Sequence, residues 1–262
     1  MPRRIITLTT DFGTSDHFVG TMKGVILSIQ PAAGIIDITH EIRPFDIPDG
    51  GFTIAQAHRF FPKRTIHVVV VDPGVGSTRR PLLAEMASQY FIAPDNGVLS
   101  MIFSRERAKV RHITNERYFL KPLSRTFHGR DVFAPVAAHL AAGVLPSRFG
   151  PVIQDHLKLD FDQPAHTAKR SWTGSILKID RFGNIITNLH IDQFPQVKTS
   201  AFELTIGLRA IKRLALTFTD CQPGELCALV GSSGFLEVSA NQGSAAQLLG
   251  CGPGSPVELT IY

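Results

Sequence analysis

The sequence predicts an α/β protein: an N-terminal α/β domain with a largely parallel central sheet, followed by a smaller C-terminal all-β, barrel-like domain. Strand-like and helix-like segments alternate along the first half, which is typical of α/β layers. Residues 68–71 form a continuous valine run of the kind that is buried on both faces of a parallel sheet. From about Ser171 onward, short β-branched runs alternate with turns, which favours a small barrel or sandwich.

The elements of the first domain follow from hydrophobic periodicity and from the residues that stop each segment. Strands are predicted at residues 5–10, 34–39, 68–71, 82–86 and 90–93. Residues 17–30 carry apolar side chains at helical spacing until Pro31, and Asp16 suits the N-cap of this helix. Further helices are predicted to end within residues 54–61 and to cover residues 131–142, the latter with an acidic start and a closing glycine.

In the second domain the strands follow from β-branched runs bounded by turn residues. They are predicted at residues 175–179, 185–191, 202–206, 214–219, 226–230, 235–239 and 257–262. Between the halves, residues 146–169 are rich in proline and aspartate and show no sustained periodicity. We therefore place the boundary near Ala168, between domains of residues 1–165 and 170–262.

Composition limits the partners and the location of the protein. The chain has 262 residues, 44% of them hydrophobic, which is enough for a sizeable core. The net charge is +5, but lysines and arginines are scattered, so nucleic acid is not an expected partner. The three cysteines show no metal or disulfide spacing and are expected to be free thiols. The apolar stretch at residues 5–8 is too short for a signal peptide and no segment suits a membrane span, so we expect a cytoplasmic protein without membrane association.

Two aspartates follow predicted strands of the first domain. Asp72 follows the buried valine run and precedes a glycine-rich turn and Arg79, and Asp11 follows the first strand. Because ligands bind outside the carboxyl ends of the strands in open α/β sheets, we expect both carboxylates at one edge of a crevice. A carboxylate there can accept both hydrogen bonds of a ribose diol.

A histidine lies beside a glycine just before the last predicted helix of this domain, in residues 125–131 (RTFHGRD). His128 can exchange protons near neutral pH, which makes it a candidate acid–base group. Taken alone, this segment is as compatible with a structural histidine as with a functional one.

Two turns of the second domain carry polar groups. Residues 180–184 (DRFGN) combine a carboxylate, an aromatic ring and an amide at a hairpin-like turn. Residues 231–237 (GSSGFLE) combine two hydroxyls with a carboxylate on the next strand. Either segment alone is explained by its turn.

Taken together, five blocks resemble one family. They are residues 10–13 (TDFG), 71–76 (VDPGVG), 127–131 (FHGRD), 180–184 (DRFGN) and 232–237 (SSGFLE). In this order, over nearly the whole chain, they resemble the S-adenosylmethionine (SAM) hydrolases, also called SAM hydroxide adenosyltransferases, which are relatives of the SAM-dependent fluorinase and chlorinase. The order makes the resemblance specific, whereas no single block would.

The resemblance implies hydrolysis of SAM to adenosine and L-methionine, by in-line attack of activated water or hydroxide on ribose C5′. It implies a catalytic triad of Asp72, Arg79 and His128, with Arg79 rather than Arg80 matching by its position. The implied substrate contacts are Asp11 on the ribose hydroxyls, Phe45 in the pocket, Asn184 and the backbone near Ala240 on adenine, and Asp180, Ser232, Ser233 and Glu237 at the methionine end.

The resemblance further implies a homotrimer with sites between subunits, where Asp11 and Asp72 of one subunit meet Asn184 and Ser232 of another. SAM is the substrate, and because its sulfonium already supplies the electrophile, neither a metal nor another cofactor is expected. The sequence does not choose between the sulfonium epimers, although the resemblance makes the inverted (R) form an expected substrate.

Two alternatives stay open. A halogenase of the same superfamily needs a dry halide pocket, which an anionic Asp72 would disfavour by repelling the halide. The fluorinase also carries a long insertion before the strand that corresponds to residues 90–93, where this chain has a short connection. A non-catalytic nucleoside- or nucleic-acid-binding barrel would interleave aromatic residues with clustered arginine and lysine on its strands, and the β domain shows no such pattern.

Overall fold

Seven strands form the sheet of the first unit in the computed structural model, which describes residues 4–160 and 163–262. They are β1 (Ile5–Thr10), β2 (Gly34–Thr39), β3 (Ile66–Val70), β4 (Pro81–Met86), β5 (Gln89–Pro94), β6 (Lys109–His112) and β7 (Val152–Ile153). Their order in the sheet is β2-β1-β3-β5-β4-β6-β7. The pairs β2–β1, β1–β3 and β3–β5 are parallel, and β4, β6 and β7 add antiparallel pairs on the other side.

Strand β3 lies inside the sheet and is buried at every position, as its valine run predicts. Its parallel pairing with β1 aligns Thr10 with Val70, so the chain leaves both strands at the same edge of the sheet. The connection between β4 and β5 is a two-residue hairpin in which Ala87 and Ser88 both have positive φ, as a tight turn between twisted strands requires.

The structure contains five α-helices among its described residues: α1 (Phe18–Ile29), α2 (Ile47–Ala57), α3 (Ser100–Phe103), α4 (Ala134–Ala141) and α5 (Ala245–Leu249). Helices α1 and α4 contribute to one hydrophobic core with β1 and β3, through side chains such as Met22 and Val136. A single π-helical turn, Gly129–Phe133, precedes α4, so the helix predicted at 131–142 begins with a wider turn. The N-cap of α1 is His17 without a side-chain hydrogen bond, and the prediction of Asp16 as its cap is wrong.

The second unit is an antiparallel sheet of eight strands. They are β8 (Ala165–Ala168), β9 (Ser171–Ile179), β10 (Ile185–His190), β11 (Phe202–Ile206), β12 (Arg209–Ile211), β13 (Leu226–Val230), β14 (Phe235–Ala240) and β15 (Pro256–Ile261). The order is β12-β11-β15-β9-β10-β14-β13, with β8 paired to β9. Beyond β12 the chain bonds to β13, because Ala215 N donates to Ala228 O at 2.8 Å and Ala228 N donates to Arg213 O at 3.0 Å. These bonds nearly close the sheet into a barrel, and both parts of the predicted fold class are confirmed.

The strand predicted at residues 214–219 is wrong, since only Leu214 forms an isolated β-bridge there. A capping box at Thr217 and Asp220 turns the chain into a short 3-10 helix, Phe218–Asp220. Because the Asp220 carboxylate accepts hydrogen bonds from the backbone N–H groups of Leu216 and Thr217, those groups are not available to a neighbouring strand.

Packing divides the chain into two units, Met1–Leu159 and Asp160–Tyr262. The division falls before the boundary expected near Ala168, because Ala165–Ala168 pairs with Ser171–Ile179 of the second unit. Residues 161 and 162, which belong to the predicted linker, lie outside the described residues. Over the described part of the chain, no helix is both long and apolar enough to cross a membrane.

A buried histidine lies in the middle of the first sheet. His67 on β3 is fully buried, contacts the Thr7 hydroxyl through Nδ1 at 2.7 Å and stacks on the Phe91 ring. Burial, with a smaller contribution from the nearby His58, lowers the pKa of His67 to about 3. The ring is therefore neutral in the folded protein at ordinary pH.

Acidification is expected to destabilise the fold because His67 gains a proton on unfolding. Between a folded pKa of about 3 and an ordinary value of 6.5, the unfolded chain binds more protons, so stability falls as the pH drops below 6.5. Replacing His67 by Gln keeps a polar partner for Thr7 and removes the titration. Between pH 7.5 and 5.5, urea denaturation of the wild type should show an additional loss of about 1.4 kcal/mol relative to His67→Gln. The exposed His166→Gln is the control, and equal losses in wild type and His67→Gln would contradict the prediction.

Candidate active site

The carboxyl edge of the parallel strands carries the first cluster of candidate residues. Asp11 directly follows β1, and Asp72 lies two residues after β3. Burial raises the pKa of Asp11, and the negative charge of Asp72 raises it further, while the backbone N–H of Phe45 acts against both. The two carboxylates are thus close enough to interact, as the strand order predicts.

The strongest interaction at this edge is a two-point ion pair. Arg79 Nε donates to Asp72 Oδ1 at 2.9 Å, and Arg79 Nη2 donates to Asp72 Oδ2. Both side chains are buried, with 8% and 5% of their surface exposed. Fork-to-fork pairing of this kind fixes the guanidinium in one plane and one orientation.

Tight turns between these two residues bring Arg79 back onto Asp72. Val75 N donates to Asp72 O, and Ser77 N donates to Gly74 O. The Ser77 hydroxyl donates to the same carbonyl at 2.7 Å and accepts from Arg79 N at 3.2 Å. By bonding to both Gly74 O and Arg79 N, the Ser77 hydroxyl stabilises the consecutive turns that bring Arg79 back to Asp72.

His128 completes the cluster. Its Nδ1 lies 2.8 Å from Arg79 Nη2, and since a guanidinium has only donors, Nδ1 must be the acceptor. Burial and the positive charge of Arg79 lower the pKa of His128, with Asp72 opposing them. His128 is therefore a neutral ring at pH 7 and carries its proton on Nε2.

One donor of the cluster is unused. Arg79 Nη1 is buried and has no hydrogen-bond partner among the described residues. The guanidinium lies 5.2 Å from the centre of the Phe133 ring, which covers it on one side. Since buried donors are normally satisfied, Nη1 is available to a ligand or a water molecule.

Two contacts of the loop before His128 hold the histidine beside Arg79. At Gly76, which has φ +76°, a Cβ would overlap the carbonyl oxygen of Arg125, so the two loops can touch only where there is no side chain. Asp131 is fully buried; its Oδ2 accepts from Ser124 N at 2.8 Å, and Arg130 covers it as an ion pair. The loop before His128 is thus anchored at both ends.

The two adjacent arginines bind different partners. Whereas Arg79 binds Asp72 and His128, Arg80 binds Asp95 and Asp155 as ion pairs of 2.7 and 2.9 Å. These contacts raise the pKa of Arg80 and keep its side chain away from the cluster. Only Arg79 therefore has the geometry of a site residue.

Phe45 and Asp11 form a second contact at this edge. Phe45 N donates to Asp11 Oδ2 at 2.9 Å, from a left-handed backbone conformation with φ +67°. A positive φ is uncommon for a large side chain and indicates that the fold imposes it. The Phe45 ring is 71% exposed, so an apolar surface stands beside the Asp11 carboxylate.

In the second unit, Asp180 and Asn184 are joined in one turn. Asp180 Oδ1 accepts from Phe182 N at 2.8 Å and from Asn184 N at 2.9 Å, and Asp180 Oδ2 accepts from Asn184 Nδ2 at 2.8 Å. Since its NH2 group donates to Asp180, the Asn184 amide is oriented with Oδ1 left as an acceptor. The Phe182 ring is 77% exposed beside it.

The turn between β13 and β14 carries the other residues of this unit. Ser232 is exposed, and Ser233 Oγ is buried without a hydrogen-bond partner among the described residues. Burial, with a smaller effect of Asp180, raises the pKa of Glu237 to about 7. Ala240 ends β14, and its carbonyl accepts from Gly243 N. Glu237 and Asp180 thus share a region, whereas Ser232, Ser233 and Ala240 are placed near it only through their strand and turn.

Sequence reasoning missed the residues that support the cluster. Phe133 beneath Arg79 and the carbonyl of Arg125 against Gly76 carry no motif of their own. Asp131 was expected as the acidic start of a helix and as the last residue of the block 127–131, and its place directly after Arg130 was the available signal for their ion pair. The roles of all the predicted site residues stay predictions.

Family models, curated proteins and a solved structure match this chain over most of its length. The SAM hydroxide adenosyltransferase N-terminal domain model matches residues 6–150, and the C-terminal domain model of the same family matches residues 174–258. The (R)-S-adenosyl-L-methionine hydrolase of Methanocaldococcus jannaschii is 38% identical over 94% of this chain and 91% of its own. A fluorinase of Nocardia brasiliensis is 26% identical over 99% of this chain and 97% of its own. The crystal structure of an uncharacterized conserved protein from Thermotoga maritima matches with a TM-score of 0.90 and 37% identity, over 97% of this chain and 99% of that chain.

Adding a methyl group at Gly76 is expected to separate the two loops. In Gly76→Ala the Cβ overlaps Arg125 O and the positive φ is strained, so we expect a loss of about 1–3 kcal/mol of stability in urea denaturation. The His128 pKa, followed by NMR, should rise towards the ordinary value of 6.5 as the ring leaves Arg79. Gly20→Ala in α1, where a Cβ meets nothing within 4 Å, is the matched control and should not lower stability. An unchanged His128 pKa in Gly76→Ala would show that this contact does not position the ring.

Proposed function

Because the chain belongs to the SAM hydroxide adenosyltransferase family, we propose that it is a hydrolase that converts SAM and water to adenosine and L-methionine, including the (R)-sulfonium epimer. The observation that carries the proposal is the Asp72–Arg79–His128 cluster at the carboxyl edge of the parallel strands. Hydrolase relatives that align over most of both chains support the same substrate.

The proposed reaction is a single displacement at ribose C5′. The oxygen of water forms a bond to C5′ while the C5′–S bond breaks, and the electron pair of that bond returns to sulfur as the neutral thioether of methionine. One proton of the water must leave. Since sulfonium is already a good leaving group, the protein mainly has to hold water in line with the C5′–S bond, and such positioning is worth about 7–11 kcal/mol.

Each member of the cluster has a role that its contacts permit. Arg79 Nη1, the unused donor, binds the water oxygen and stabilises hydroxide-like character as the proton leaves. Asp72 keeps free lone pairs on both oxygens, accepts a hydrogen bond from the water and takes its proton. His128, which accepts from Arg79 through Nδ1, holds the guanidinium and the water in orientation. Proton removal of this kind contributes about 10²–10⁴-fold.

Substrate recognition in this proposal uses Asp11 and Phe45 of one subunit and the turns of the second unit of a neighbouring subunit. Asp11 holds the ribose hydroxyls, with the exposed Phe45 ring packed against the nucleoside. The free Oδ1 of Asn184 accepts from the adenine amino group, together with the backbone near Ala240.

The methionine end is assigned to the polar turns of the second unit. Asp180 and Glu237 are assigned to the ammonium group. Burial removes water from the Glu237 carboxylate and raises its pKa, and a bound ammonium group would stabilise the charged form of that carboxylate. Ser232 and Ser233 offer hydroxyls to the carboxylate, and the buried, unpaired Ser233 Oγ suits this role.

We propose further that the enzyme is a homotrimer in which Asp11 and Asp72 of one subunit act with Asn184 and Ser232 of a neighbour. The proposed trimer rests on the family resemblance. The Phe45 and Phe182 rings are exposed in the single chain, and bound substrate or a neighbouring subunit would cover them. No metal or further cofactor is needed because the sulfonium is the electrophile. The three free thiols suit a reducing cytoplasm.

Of the alternatives, halogenation deserves a direct test because a fluorinase is among the relatives. At the position proposed for water, the Asp72 oxygens offer hydrogen-bond acceptors, which suit the hydrogens of water and not a halide. Before β5, where the family resemblance leads us to expect an insertion in the fluorinase, this chain has the two-residue hairpin of Ala87 and Ser88. No observation on the barrel favours a non-catalytic nucleic-acid-binding function.

Purified protein is expected to hydrolyse SAM without added metal or halide. In ¹⁸O-water, mass spectrometry should find the label on O5′ of adenosine, because the water oxygen forms the new bond to C5′. Unlabelled adenosine, or a 5′-halogenated product when chloride or fluoride is added, would contradict the proposal. Assay of both sulfonium epimers establishes the stereochemical preference.

Removing the side chain of His128 or of Arg79 is expected to lower kcat more than it weakens the binding of adenosine. His128→Ala and Arg79→Ala should each reduce kcat by about 10²-fold or more, because they act on the water, while the Kd of adenosine changes only a few-fold. Arg80→Ala, which removes the neighbouring arginine outside the cluster, is the matched control and should keep kcat within about threefold of wild type. Full activity of both cluster variants would show that the assigned triad is wrong even within the right family.

A further inference from the structure

A chain of polar contacts lies where β1 and β2 end, next in sequence to Asp11. Thr10 Oγ1 is 2.8 Å from His40 Nδ1, and His40 Nε2 is 3.0 Å from Asp37 Oδ1, at an angle outside hydrogen-bond geometry. Lys23 Nζ pairs with the other Asp37 oxygen at 2.6 Å and lowers the pKa of that carboxyl, against the effect of its partial burial. Thr10 is fully buried and His40 is 5% exposed, so the inner part of the chain is closed to water.

The contacts have one consistent polarity. Thr10 Oγ1 accepts from Phe12 N at 3.2 Å. The Asp37 carboxylate, whose Oδ1 lies 3.0 Å from His40 Nε2, favours the ring proton on Nε2. Nδ1 is then the acceptor, and Thr10 donates to it. The chain therefore ends on the peptide group that joins Asp11 to Phe12.

Backbone contacts of the same histidine join the two segments that shape the ribose end of the site. His40 O accepts from Gly13 N at 2.8 Å, and Ile42 N donates to Thr10 O. Further along the segment after β2, Phe45 N donates to the Asp11 carboxylate. His40 is thus the point at which the segment carrying Asp11 and the segment carrying its hydrogen-bond donor are tied together.

The order Asp37, His40, Thr10 is similar to that of a nucleophilic triad, but the threonine cannot act as a nucleophile. Its hydroxyl is fully buried and is already engaged by Phe12 N and His40. A nucleophile must reach the reacting atom of the substrate. The buried chain can act only by setting the position of the groups around it.

We propose that His40 is a positioning residue that fixes the Asp11 carboxylate for two-point recognition of the ribose diol. The inference rests on the proposed function, because Asp11 is assigned to the ribose there. A carboxylate accepts from both hydroxyls only when its plane is held. The Phe45 N–H binds the carboxylate directly, and the Thr10–His40 contact acts through the backbone on either side of Asp11, because Thr10 Oγ1 accepts from Phe12 N. Loss of His40 therefore weakens recognition of the hydroxyls and leaves the water-activating cluster intact.

The test compares SAM with its 2′-deoxy analogue in wild type and His40→Ala. The variant should raise KM for SAM about tenfold with kcat within about threefold, and should reduce the preference for SAM over the 2′-deoxy analogue by about tenfold. His40→Asn keeps an acceptor near the Thr10 hydroxyl and should restore most of this preference. His166→Ala, an exposed histidine of the second unit, is the control.

Epistasis with Asp11 separates positioning from general damage. If His40 acts through Asp11, the double variant His40→Ala/Asp11→Asn should be no worse than Asp11→Asn alone. Additive losses, or an equal loss of kcat/KM on both substrates, would overturn the proposal. Should His40→Ala fail to fold by circular dichroism, Thr10→Val removes the same contact with a side chain of equal size and must show the same loss of preference.

A failure of the proposed function gives a different result. If wild type does not hydrolyse SAM, calorimetry can still compare the Kd of adenosine with that of 2′-deoxyadenosine, and the difference measures the contact with the 2′-hydroxyl. A wild-type preference for adenosine that His40→Ala abolishes supports the positioning role without the hydrolase function. Equal binding of both nucleosides by wild type, or no binding of either, overturns the role of His40.

Discussion

The buried ion pair between Asp72 and Arg79 is the interaction on which the first cluster depends. Two nearly buried charges are tolerable only as a pair, since removing one partner leaves the other uncompensated at a cost of about 3–5 kcal/mol. The fork of hydrogen bonds also decides what each group can do. Because Arg79 uses Nε and Nη2 on the carboxylate and reaches His128 through Nη2, it determines the tautomer of the histidine and leaves Nη1 free. One planar contact thereby orients three side chains.

That pair in turn depends on how closely two loops approach each other. Gly76 lies against the carbonyl of Arg125, where no side chain fits, and Asp131 holds the start of the same loop through Ser124 N. The glycine-rich turn after β3 is often interpreted as a ligand cradle, yet here one of its glycines serves packing between loops. Positions without catalytic chemistry therefore determine whether His128 reaches Arg79 at all.

The two carboxylates of this edge differ because their surroundings differ. Asp72 is neutralised by an arginine, whereas Asp11 is held by a backbone N–H and by the chain through Thr10 and His40, and burial raises its pKa. The first suits a site where charge changes during a displacement, and the second suits binding of neutral hydroxyls. In SAM hydrolysis the substrate brings its own electrophile, so these fixed positions, rather than strong acid–base chemistry, are the main contribution of the protein.

The sequence by itself determined most elements and the order of the motifs. Valine runs, proline stops and glycine turns act within a few residues, so β3, α1 and the carboxylates after the strands could be predicted. It failed at residues 214–219, where side-chain caps override a strand-like pattern, and it missed β6 and β7, which are too short to show a period. Only the tertiary structure showed that Arg79 pairs with Asp72 at two points while Arg80 pairs with Asp95, and that His40 contacts the Thr10 hydroxyl next to Asp11. The physical reason is that local propensity is encoded in short windows, whereas the pairing of donors and acceptors depends on which distant loops the order of the strands brings together.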